Sequence, residues 1–91
     1  MKNILISGAS RGIGWALLQK YLKEGCRVFA LSRNTLNFSP LKEQFPNAFD
    51  YSSCNVAIQS DVEIAIQNAT NFLNNIDLAI LNAGISGSES F

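Results

Sequence analysis

Short, nearly unbroken apolar runs at residues 3–6, 27–31 and 76–81 punctuate the chain. Runs of that length without polar alternation predict strands buried on both faces, the signature of a parallel sheet. Between the first two, Gly14, Leu17, Leu18, Tyr21 and Leu22 recur at helical spacing, and Gly25 marks the helix end. A second helical stripe comprises Val62, Ala65, Ile66, Ala69, Phe72, Leu73 and Ile76, with Ser60 and Glu63 spaced as a capping box at its start. The pattern is weaker between Asn34 and Phe49, where Pro40 can open a short helix over Leu41–Phe45 and Pro46 end it. A further strand is expected from Phe49 to Asn55. Strand–helix alternation of this kind implies an α/β fold, a parallel sheet with right-handed crossovers and helices on both faces.

Composition narrows the class of protein. The chain has 91 residues, room for one small domain. Seven basic and seven acidic residues are scattered along it and sum to zero, so no nucleic-acid or membrane partner is expected. The first apolar run is too short for a signal peptide and no run reaches membrane-spanning length, which makes a cytoplasmic location the default. Cys26 and Cys54 lack metal-ligand spacing and read as small buried thiols. There is no histidine, which removes the commonest general base, and no metal site is expected.

The candidate chemistry lies at residues 6–14, ISGASRGIG, where a strand gives way to three glycines and then a helix. Backbone N–H groups and the positive helix end favour a phosphate there. Gly8 would permit the tight turn, Gly12 the approach of a pyrophosphate, and Gly14 close packing of helix on sheet. No Gly-Lys-Ser/Thr follows, so this is not a P-loop.

The segment Ser7-Gly8-Ala9-Ser10-Arg11-Gly12-Ile13-Gly14 resembles the Thr/Ser-Gly-x3-Gly-x-Gly signature of the short-chain dehydrogenase/reductase family. Leu81-Asn82-Ala83-Gly84 is similar to that family's Asn-Asn-Ala-Gly motif, and Cys54-Asn55-Val56-Ala57 stands where its Asp-Val pair flanks adenine. The resemblance spans the whole chain and implies a Rossmann-type sheet in the order 3-2-1-4. Residues 1–91 would then be a truncated NAD(P)-binding domain, the N-terminal half of a carbonyl or alcohol oxidoreductase. It departs from the pattern at Leu81, in place of the first Asn, and at Asn55, in place of the Asp.

The resemblance also assigns cofactor residues. Gly8, Ser10, Gly12, Ile13 and Gly14 would line the pyrophosphate turn; Asn55 and Val56 would flank adenine, with the Asn55 amide oxygen facing its amino group; Asn82, Ala83 and Gly84 would run along the ribose. A ribose 2′-hydroxyl wants a carboxylate at the end of the second strand, and a 2′-phosphate wants cations. Ser32 holds the usual acidic position, Arg33 follows it and Arg11 lies in the turn, which favours NADP(H). Each arginine alone could be an ordinary solvated side chain; the pair at these positions carries the reading.

The family's Tyr-x-x-x-Lys pair is missing: Tyr21 is followed four residues on by Gly25, and Tyr51 by Asn55, so no catalytic residue is assigned. Three roles stay open: the cofactor-binding part of an enzyme, a non-catalytic NADP(H)-sensing or protein-pairing module, or a vestigial product of a shortened reading frame that folds but binds little. The fourth strand, lacking the neighbour that the family places there, is expected to mediate self-association.

Overall fold

The computed structural model describes residues 2–10 and 12–81. Seven elements follow in order: β1 (Asn3–Ser7), α1 (Gly12–Lys23), β2 (Arg27–Ser32), α2 (Phe38–Gln44), β3 (Phe49–Ser53), α3 (Gln59–Leu73) and β4 (Leu78–Leu81). All neighbouring strands are parallel and the sheet order is β3-β2-β1-β4, as expected. Alternate side chains of each strand enter separate cores. Ile4, Ile6, Val28, Ala30 and Phe49 meet Leu18 and Leu22 of α1 and Phe38 and Leu41 of α2. On the opposite face, Leu5, Phe29 and Leu31 meet Ala65, Ala69 and Leu73 of α3. Burial on both faces explains why the inner strands carry no polar alternation.

Aromatic rings fill the first core. Phe38 is fully buried and contacts Trp15 at a centroid distance of 6.2 Å, Phe49 at 5.6 Å and Tyr51 at 5.2 Å. Trp15 thus extends the apolar face of α1, and both cysteines are buried free thiols. The two starts of β1 and β4 are tied: Asn3 N–H donates to the Asp77 carboxylate at 2.8 Å, and Asp77 N–H donates to the Asn3 carbonyl at 2.8 Å.

Helix ends show where periodicity misleads. α1 closes as its Gly25 predicts: φ is +90°, Gly25 N–H donates to Leu22 O at 3.1 Å, and Cys26 N–H to Tyr21 O at 3.0 Å. That is a Schellman closure, which needs a left-handed residue. The capping box on α3 does not form. The helix begins at Gln59 after an extended Ile58 with no side-chain cap, so Ser60 lies inside it, and Glu63 accepts from Gln59 Nε2 at 3.1 Å. The cause lies upstream, where Asn55 folds the chain back and delivers it to the helix early: its Oδ1 accepts from Ala57 N–H at 3.0 Å and its carbonyl from Ile58 N–H at 3.0 Å. At the other end Asn74, at φ +69°, stops α3, which leaves Ile76 outside the helix. Ile66, 40% exposed, faces outward, and the buried line reduces to Ala65, Ala69 and Leu73. α2 starts at Phe38, earlier than Leu41, with Pro40 inside its first turn, where no intrahelical N–H is needed. β3 ends at Ser53, short of Asn55, because the Asn55 turn takes over.

Candidate functional site

Parallel strands deliver their carboxyl ends to one edge of the sheet. Register pairs Ser7 of β1 with Leu31 and Leu81, and Ser32 of β2 with Ser53, so the segments after β1, β2 and β3 lie side by side. The chain steps outward from β1 to β2 to β3 and then returns to the far side of β1 for β4. The reversal opens a crevice beside β1, the place where open α/β sheets take ligands. The glycine turn occupies it.

Gly8 N–H donates to the Leu31 carbonyl at 3.0 Å, which keeps the chain on the sheet for one more residue before it turns. Gly8 then adopts φ +67° and Gly12 φ +64°, a conformation that side-chain-bearing residues enter at a cost of about 1–2 kcal/mol. A Cβ placed on Gly12 would meet nothing within 4 Å, so the turn faces open space at close backbone range. α1 starts there with no acidic residue in its first turn. An anion arriving at this end therefore meets peptide N–H groups and a positive helix terminus unopposed by a carboxylate of that turn. Ser10 is half-buried and Gly14 buried, while Ile13 is 70% exposed. The turn fits the pyrophosphate of a dinucleotide.

Ser32 ends β2 with its side chain 1% exposed. Its Oγ accepts from Asn34 N–H at 3.3 Å, so the hydroxyl keeps its own proton to donate. Arg33 stands next to it, exposed and with no partner among the described residues. Beyond β3, the Asn55 N–H donates to the Asp61 carboxylate at 3.2 Å, and Asn55 Oδ1 already serves the turn to Ala57, leaving one lone pair for a ligand. Val56 packs half-buried against the α3-side core. Burial, reinforced by the Asp61 charge, pushes the Cys54 thiol above its ordinary range. Arg11, Asn82, Ala83 and Gly84 lie outside the described residues.

Two side chains at this edge were not assigned a role by sequence reasoning. Asp61 lies in the first turn of α3, where its charge suits the helix dipole, and its carboxylate also holds the Asn55 N–H. Asn37 donates from Nδ2 to the Ser10 carbonyl at 2.9 Å. Its only sequence signal is an Asn just before an apolar helical run, which reads as a helix cap.

A crevice of this kind, on a parallel sheet ordered 3-2-1-4, is that of a Rossmann-type fold. The profile of the short chain dehydrogenase family matches residues 2–91, and the chain belongs to that family. It is 32% identical over 91 residues to momilactone A synthase of Oryza sativa subsp. japonica, covering 99% of this chain and 33% of that protein. It is 37% identical over 93 residues to the chloroplastic chlorophyll(ide) b reductase NOL of Arabidopsis thaliana, covering 98% of this chain and 26% of that one. Among solved structures, a 3-ketoacyl-(acyl-carrier-protein) reductase from Brucella melitensis complexed with NADH superposes with a TM-score of 0.82 at 25% identity, covering 92% of this chain and 34% of that one. A short chain dehydrogenase from Bacillus anthracis gives 0.80 at 28% identity, covering 91% and 36%. The chain thus spans between about a quarter and two fifths of the length of its relatives, and corresponds to the N-terminal portion of a family oxidoreductase. The family binds a nicotinamide dinucleotide. No helix among the described residues is long and apolar enough to cross a membrane.

Proposed function

We propose that residues 1–91 form the NADP(H)-binding portion of a short-chain reductase acting on carbonyl or alcohol substrates. The observation that carries this reading is the end of β2, where a buried Ser32 hydroxyl and an exposed Arg33 stand in place of a carboxylate. A 2′-phosphate gains from the exposed Arg33 cation; a free 2′-hydroxyl finds no carboxylate at that strand end to accept its hydrogen bond. Arg11 adds a second cation by its position in the sequence. Gly8, Ser10, Gly12, Ile13 and Gly14 hold the pyrophosphate, Asn55 and Val56 flank the adenine, and Asn82, Ala83 and Gly84 follow the ribose. Once bound, the cofactor supplies the hydride. The proton must come from elsewhere, since neither Tyr21 nor Tyr51 has a lysine four residues on, and Tyr51 packs among Phe38 and Phe49. Two unpaired thiols fit a reducing, cytoplasmic setting.

The test is titration with NADPH and with NADH, followed by Trp15 fluorescence and calorimetry. NADPH should bind at least about tenfold more tightly, a difference of about 1.4 kcal/mol. Equal binding, or tighter NADH binding, overturns the reading.

A second reading, a module that pairs with another copy and does no chemistry, is favoured by β4. Leu81 is 75% exposed and Leu78 38%, and the strand carries no charged residue to deter pairing.

A further inference from the structure

The loop between β2 and α2 carries Arg33, and one side chain fastens its far end. Asn37 precedes α2, yet its amide makes no cap for that helix. It donates instead to the Ser10 carbonyl of the glycine turn, 27 positions away, at 2.9 Å. The next residue, Phe38, is fully buried and stacks on Trp15 of α1. Between the ends, the loop is braced from within. Asn34 Oδ1 accepts from Leu36 N–H at 3.0 Å, Asn34 N–H donates to Ser32 Oγ at 3.3 Å, and Phe38 N–H donates to the Thr35 carbonyl at 3.0 Å. Residues 32–38 therefore form a short strap, anchored on β2 at one end and on the glycine turn at the other.

We infer that Asn37 is a positioning residue for cofactor preference: by tying the strap to Ser10 it fixes where Arg33 meets a 2′-phosphate. The inference rests on the NADP(H) reading above. The pyrophosphate lies against the glycine turn in either dinucleotide, so the turn alone does not discriminate. Only the 2′-phosphate engages the strap. An exposed arginine on a loose backbone contributes little to an ion pair, because ordering it cancels the attraction. Held in advance, the same arginine loses less freedom on binding. Removing the tie should therefore weaken NADPH and leave NADH almost unchanged.

The experiment compares the chain with its Asn37→Leu, Arg33→Ala and doubly substituted variants, each titrated with both dinucleotides. Leucine keeps the branching at Cγ and removes the donor at an exposed position, where its greater bulk meets solvent, and Asn37→Gln serves as the variant that keeps an amide. The Kd for NADPH should rise about fivefold in Asn37→Leu, the weight of one neutral hydrogen bond, and that for NADH less than about twofold. In the Arg33→Ala background the same substitution should change NADPH binding less than about twofold, because the residue it acts through is gone. Asn37→Gln should recover part of the loss. Equal weakening of both dinucleotides, or an undiminished loss without Arg33, overturns the inference and leaves the NADP(H) reading standing. A parent chain that does not prefer NADPH overturns that reading, and the inference with it. Without ligand, amide exchange at Leu36 and Phe38 should be faster in Asn37→Leu; unchanged exchange also overturns the strap.

Discussion

Cys54 shows how a single side chain can register the folded state. Burial first, and the Asp61 carboxylate second, raise its pKa in the fold above the value an unfolded thiol shows. Its contribution to stability is therefore complete below the ordinary thiol range, near pH 8.5, and is lost as pH rises through the higher folded value. Urea unfolding between pH 7 and 10 should show a steeper alkaline decline for the parent than for Cys54→Ala. Parallel declines would mean that the thiol does not titrate differently on folding. The variant's constant offset, from the small cavity left by the sulfur, does not enter the slope.

At the scale of elements, the closure of α1 makes a sharper prediction. Gly25 sits at φ +90° with nothing within 4 Å of a Cβ placed there, so Gly25→Ala adds backbone strain and no clash. It should destabilise the chain by about 1–2 kcal/mol, read as a drop in melting temperature of roughly 4–8 °C for each kcal/mol in a domain of this size. An unchanged melting temperature would show that the helix end relaxes. That glycine was legible in the sequence because its role is local. So were the inner strands, whose unbroken apolar character follows from burial on two faces, and the glycine turn, whose residues run from the end of a strand into the first turn of a helix. The start of α3 was not legible, because a turn made by Asn55 sets it and the Ser60–Glu63 spacing competes with that turn and loses. Asn37 was hidden for a related reason. Its partner Ser10 is distant in sequence, and a bond from side chain to backbone across two loops leaves no period to read.

For the whole molecule, the two edges of the sheet differ. β3 carries Asp50, a charge of the kind that deters pairing, while β4 is Leu-Ala-Ile-Leu and largely exposed. Pairing through β4 would place Leu81 in the contact. Sedimentation at tens of micromolar should find the parent chain self-associated and Leu81→Lys shifted toward monomer. A parent that sediments as a monomer would remove the pairing reading and leave cofactor binding untouched.

The central place of β1 also bears on synthesis. This strand leaves the ribosome before both of its neighbours, yet it is hydrogen-bonded on one side to β2 and on the other to β4, and Asn3 is fastened to Asp77. β2 follows soon after; β4 follows only after β3 and α3. At roughly 5–20 residues per second the β4 side of Ile4, Leu5 and Ile6 stays open for several seconds in each new chain. During that interval the nascent chain presents a sticky, half-built sheet, and holding it apart from its neighbours is a task for the cell's chaperones.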